Sequence, residues 1–200
     1  MADAYRVLLV QGPYPLVRGF ISGFLTGKGI GGRVHYCEKE KLHVDVGDEG
    51  FTDRLKEWIG LKDFLATPVV IDESLHGPLV EAFHSSRHDL SLSVKVDVPV
   101  TGASFRVDFR VYSPEMGAQV KAMVENPPAG LSLDDDFRLE EKKHEDAAGV
   151  EAYAPEHAYE LHGEGTIHGE LEALIAFRDR IRENPLVHCE PIRIEIRKGN

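Results

Sequence analysis

The hydrophobic pattern of this chain runs twice through one order of periods, and few folds accommodate that order. Residues 5–72 read strand, helix, strand, strand, helix, strand, and residues 104–197 read the same order again. Residues 5–10 (YRVLLV) are apolar on both faces, as in a central strand covered from both sides. Gly12, Pro13 and Pro15 break that strand, and Leu16, Val17, Phe20, Ile21, Phe24 and Leu25 form a helical stripe to about residue 26. Gly19, Gly23 and Gly27 recur beside the stripe. An interior glycine costs a helix about 1 kcal/mol against alanine, so three in register predict close approach of another backbone.

Residues 33–38 and 42–46 alternate strictly around Lys39-Glu40-Lys41, which predicts a hairpin. Phe51, Leu55, Trp58 and Ile59 give the next helix its stripe, and residues 67–71 (TPVVI) close the unit. A short helix over 76–87 and a half-exposed strand over 90–98 follow, with a turn expected at Thr101-Gly102-Ala103. The second unit opens with Phe105, Val107, Phe109 and Val111 alternating with Arg106, Asp108 and Arg110. Ser113-Pro114-Glu115 is a helix start: a hydroxyl cap, proline at the first position and an acid in the first turn. Strands around 131–139 and 159–166, a helix over 169–183 and a strand at 192–196 complete it. The expected organisation is a first unit at 1–75, a connector at 76–103 and a second unit at 104–200.

Charge and composition bound the function. With 34 acidic against 23 basic residues the net charge is −11, which repels nucleic acid and anionic lipid at long range. No apolar run approaches the roughly 20 residues that span a bilayer. The start, Met1-Ala-Asp-Ala-Tyr-Arg, lacks the basic and apolar segments of a secretion signal, so the expected location is cytoplasmic. Cys37 and Cys189 make no CxxC pair and are expected to be reduced thiols.

A βαββαβ unit with right-handed crossovers forms an antiparallel sheet with both helices on one face. The expected fold is therefore α+β, two tandem ferredoxin-like units. Within that fold, residues 163–181 (GEGTIHGELEALIAFRDRI) resemble acylphosphatases in their strand, acidic turn and helix. That resemblance implies a phosphate-cradling loop with an arginine after the first strand, and an asparagine on the second strand that orients water. The loop here, residues 10–18 (VQGPYPLVR), offers Gly12 and Arg18 as anion-binding residues. It also contains two prolines without backbone donors, and residues 33–46 hold no asparagine. The resemblance thus covers the fold and stops before the chemistry.

Two metal sites are candidates. A three-residue turn would set Cys37 opposite His43 and His35 opposite Asp45, so that a thiolate, two imidazoles and a carboxylate converge on one zinc-type divalent ion. His162, Glu164 and His168 form a second set if their strand continues to the following helix, against which Gly163 and Gly165 count. Because the first unit's central strands are apolar on both faces, cover is expected over that sheet: strand 90–98 and its helix, the other repeat, or self-association or a protein partner. Three readings follow: a non-catalytic ligand-binding or assembly module, a metal-binding protein, and a divergent acylphosphatase-like phosphate hydrolase using Arg18. The first requires no catalytic site and leads, so the protein is not expected to be an enzyme.

Overall fold

The computed structural model describes residues 4–37, 42–46, 66–86, 92–143, 159–183 and 187–196, with backbone alone at 43, 45, 46 and 95. The protein is α+β, with antiparallel strands and four helices among the described residues. The helix expected at 51–59 lies outside them. No described helix is long and apolar enough to cross a membrane. The chain divides into two compact units, residues 1–101 with 193–200, and residues 102–192. The expected connector therefore belongs to the first unit, and so does nearly all of the last strand.

The first unit contains β1 (Tyr5–Gln11), α1 (Tyr14–Lys28), β2 (Val34–Tyr36), β3 (Leu42–Val46), β4 (Thr67–Asp72) and α2 (Glu73–Ser85). The first part of β5 (Ser93–Val111) and most of β10 (Ile192–Ile196) complete it. The turn expected at 101–103 is absent, because β5 runs unbroken for 19 residues. The strand order is β2-β4-β1-β5-β10-β3. Both strands of the expected hairpin take other neighbours. β1 lies between β4 and β5, where Val7, Leu9 and Val10 face Val98, Val96 and Val94 in an apolar ladder. β2 pairs with β4, setting Val34 opposite Ile71 and Tyr36 opposite Val69, while β3 takes β10 as its neighbour. Among the described residues, the two strands of the expected hairpin are therefore not neighbours.

That order bends the sheet. Five strand spacings in a flat sheet would part β2 from β3 by about 24 Å. The six Cα steps from Tyr36 to Leu42 reach only about 20–22 Å even when fully extended. The sheet must curl so that its two edges approach. On one face, α1 and α2 pack Val17, Ile21, Leu79 and Phe83 onto Leu8, Val10, Val69 and Ile71, with Leu92 completing the cluster. On the other, Val7, Leu9 and Val70 are at most 1% exposed. These positions of the second face are therefore buried within the single chain, the intramolecular alternative among those expected.

Helix α1 begins after Pro13 and ends on Gly29 in the left-handed conformation, where Gly29 and Ile30 donate back to Thr26 and Leu25. Its glycine stripe is the reverse of the expectation. A Cβ placed on Gly19, Gly23 or Gly27 would meet nothing within 4 Å, so no described backbone approaches there. At one end of the unit, Asp97 of β5 accepts from Arg6 Nε at 2.6 Å and lies 2.5 Å from His76 Nε2 of α2. Burial acts to raise the Asp97 pKa, but the hydrogen bonds from His76 and Arg6 outweigh it and hold the carboxyl below its usual range.

The second unit contains the rest of β5, α3 (Pro114–Glu125), β6 (Leu131–Leu133), β7 (Arg138–Lys143), β8 (Tyr159–Gly169), α4 (Leu171–Arg182) and β9 (Val187–Cys189). Ser113 caps α3 as its sequence predicts, accepting from Met116 N. β8 pairs with β5 on one side and with β6 and β7 in succession on the other, while β9 pairs with β5, all antiparallel. The resulting order is β9, β5, β8, β6/β7. Both helices lie on one face. Gly117 of α3 sits against the Tyr159 ring, Lys121 of α3 reaches Glu141 at 2.7 Å, and Leu171, Leu174, Phe177 and Ile181 of α4 are buried.

Candidate metal centre

β5 and β8 pair through eight rungs, from Ser104 opposite His168 to Val111 opposite Leu161. Strand alternation sends Phe105, Val107, Phe109 and Val111, with Leu161 and Ile167, into the core under the helices. Arg106, Asp108, Arg110, His162, Glu164, Thr166 and His168 therefore stand on the face that the helices leave open. Gly163 does not interrupt β8, which is continuous from Tyr159 to Gly169. It instead makes room for its cross-strand partner, since a Cβ there would lie 2.3 Å from Phe109 Cζ.

On the open face, Asp108 is directly opposite Glu164, and His162 occupies the next rung opposite Arg110. His162 Nε2 lies 3.5 Å from Asp108 Oδ1. One ligand atom each from Asp108, His162 and Glu164 fall within 4.8 Å of one another. Zinc-type bonds of 2.0–2.2 Å put neighbouring donors about 3.4 Å apart, so small side-chain rotations would close the set on one ion.

The neighbouring arginines are directed elsewhere. Arg106 pairs with Asp136 at 3.7 Å and Arg110 with Glu160 at 3.5 Å, while Arg138 donates to the carbonyls of Asp135 and Phe137. Asp136 is itself fixed, accepting from Thr166 N and Oγ1, and these bonds lower its pKa. Among the described residues no arginine or lysine forms an ion pair with Asp108 or Glu164. Two carboxylates whose oxygens fall within 4.8 Å repel by about 1 kcal/mol at water-like dielectric and by more where water is excluded. A divalent cation turns that repulsion into attraction.

The structure thus brings His162 and Glu164 together and leaves His168 apart. His168 shares their face, but it lies four residues beyond Glu164, about 13 Å along the strand. Asp108 takes the third place. In the sequence it reads as one of three alternating charges, and only the register with β8 reveals its partners.

The other candidate residues fall in the first unit. His35 lies on β2 with its ring 6.2 Å from that of Tyr5, and Cys37 donates its backbone N–H to Pro68. Among the described residues β2 and β3 are not neighbours, so the register that would have set Cys37 opposite His43 and His35 opposite Asp45 is not seen; Val34 and Tyr36 lie opposite Ile71 and Val69 of β4 instead. The side chains of His43 and Asp45 lie outside the described residues. Burial pushes the Cys37 thiol up to about 12.

Gly12 is a packing position, where a Cβ would lie 2.4 Å from Leu92 Cδ2, and its carbonyl accepts from Thr67 Oγ1. The Arg18 guanidinium donates to Tyr14 Oη and lies 5.9 Å from the ring centres of both Tyr14 and Tyr36. The two anion-binding candidates are therefore engaged in aromatic and core packing. The chain has no significant match among protein-family models, curated proteins or solved structures.

Proposed function

We propose that this protein is a non-catalytic metal-binding module, with its ion held on the open sheet face of the second unit by Asp108, His162 and Glu164. The observation that carries the reading is the convergence of these three ligand atoms within 4.8 Å, with Arg106 and Arg110 of the same face paired to other carboxylates. Residues 102–192 are read as a ferredoxin-like unit. Its element order of βαββαβ and its strand order of β9, β5, β8, β6/β7 support this, with both helices on the opposite face from the ligands. We read one such unit where the sequence predicts two.

The test is isothermal titration of zinc, manganese and magnesium into the full chain, purified without a metal-affinity tag. One ion per chain, with affinity lost in both His162→Ala and Glu164→Gln, supports the module. Absence of binding by all three ions, or binding indifferent to both variants, rules it out.

A further inference from the structure

We infer that His188 is the fourth ligand of this site, and that the ion is a zinc-class structural metal which fastens β9 to β5 and β8. The inference rests on the metal-binding reading above and adds to it a residue, a metal class and a role.

The register carries it. Asp108 is opposite Glu164 on one side and opposite His188 on the other, so His188, Asp108 and Glu164 form a straight row across three strands. Directly opposed residues hold their Cβ atoms about 4.5–5.5 Å apart, within reach of a shared ion. Val187 and Cys189 are buried beneath, and this alternation puts His188 on the same open face as the other three ligands. Its ring is exposed and makes no hydrogen bond or ion pair among the described residues. Turning it toward Asp108 therefore breaks no described contact and costs about 1 kcal/mol of rotamer freedom.

The ligand chemistry selects the metal. Two imidazoles and two carboxylates suit zinc, cobalt or nickel, whereas magnesium and calcium prefer oxygen alone. Four protein ligands also fill the tetrahedral shell typical of structural zinc and leave no open position for a reacting water. The mechanical consequence falls on β9. This strand has three residues, and β5 is its one strand partner among the described residues. An ion shared by His188, Asp108, His162 and Glu164 would add a bond across three strands where the β9–β5 ladder has only three rungs.

The experiment uses the full chain, cobalt(II) as a spectroscopic probe, and zinc and magnesium as competitors. The parent is expected to show the intense visible absorption of four-coordinate cobalt, abolished by zinc and untouched by magnesium. His188→Ala should show the faint absorption of a higher-coordinate ion. Its zinc affinity should fall by at least the roughly 10–100-fold known for disturbing even outer-shell partners. Arg110→Gln, adjacent but not a ligand, should match the parent. If zinc binds and depends on His162 and Glu164 while His188→Ala keeps the parent's affinity and spectrum, the fourth ligand is refuted and the three-ligand site stands. If the parent binds neither cobalt nor zinc, both readings fail. Far-UV circular dichroism of each variant verifies that the fold is intact.

Discussion

Replacing Gly23 with alanine should stabilise this protein, whereas the same replacement at Gly117 should destabilise it. Both glycines lie inside helices, so propensity alone would favour alanine by about 1 kcal/mol at each. Their surroundings separate them. A Cβ on Gly19 or Gly23 meets nothing within 4 Å, and the propensity gain should therefore appear undiminished. A Cβ on Gly117 would lie 2.0 Å from Tyr159 Oη and 2.6 Å from two ring carbons, on a side chain that is itself buried. Relieving such an overlap costs about 2–3 kcal/mol, near the upper end for overpacked cores, and leaves a net loss of about 1–2 kcal/mol after the helical gain. For a chain of this size a kilocalorie is about 2–4 °C in melting temperature. The Gly19→Ala/Gly23→Ala pair should rise by about 4–8 °C, and Gly117→Ala should fall by a few degrees. Adding Tyr159→Phe to Gly117→Ala removes the hydroxyl overlap and keeps the ring overlap, so it should restore part of the loss. Thermal and urea unfolding followed by circular dichroism read all four variants. Destabilisation by Gly23→Ala would mean that a backbone does rest on the glycine stripe. A Gly117→Ala protein as stable as its parent would overturn the packing of α3 on Tyr159.

Asp97→Asn should lose about 1–3 kcal/mol at pH 7, since it weakens the bonds to both Arg6 and His76. A carboxyl whose folded pKa is lowered contributes stability that is present above its unfolded value near 4 and is lost as pH falls through the lower folded value. Urea midpoints from pH 7 to pH 2 should therefore drop more steeply for the parent than for Asp97→Asn, and parallel curves would contradict this. Burial pushes Cys189 up to about 11 and Cys37 up to about 12. Both thiols should resist iodoacetamide at pH 8 in the folded protein and react promptly in urea; fast native labelling at either position would show an accessible thiolate.

Local chemistry was legible wherever a signal acts over a few residues. The Ser113-Pro114-Glu115 start of α3 and the apolar closing strand β4 fall where their sequences place them. The glycine stripe of α1 misled because periodicity reports which residues share a face and is silent on what lies opposite. Thr101-Gly102-Ala103 has turn composition, yet strand pairing carries β5 straight through it. The three residues of β9 are too few to show a period at all. β2 and β3 have the alternation of a hairpin, yet β2 lies beside β4 and β3 beside β10, because alternation reports a strand's faces and not its neighbours.

The candidate site divides along the same line. Strand alternation by itself placed Asp108, His162 and Glu164 on the polar faces of their strands, since a period of two leaves each side chain only two directions. Which rung each would occupy, and beside which strand, depended on pairing between segments about 50–80 residues apart, through the register of β5 with β8 and with β9. A slip of two residues would keep every side chain on its face and still separate Asp108 from Glu164. The sequence therefore determined the faces. Only the folded sheet, by fixing the register through the packing of Phe109 over Gly163 and of the helices beneath, decided that these ligands meet.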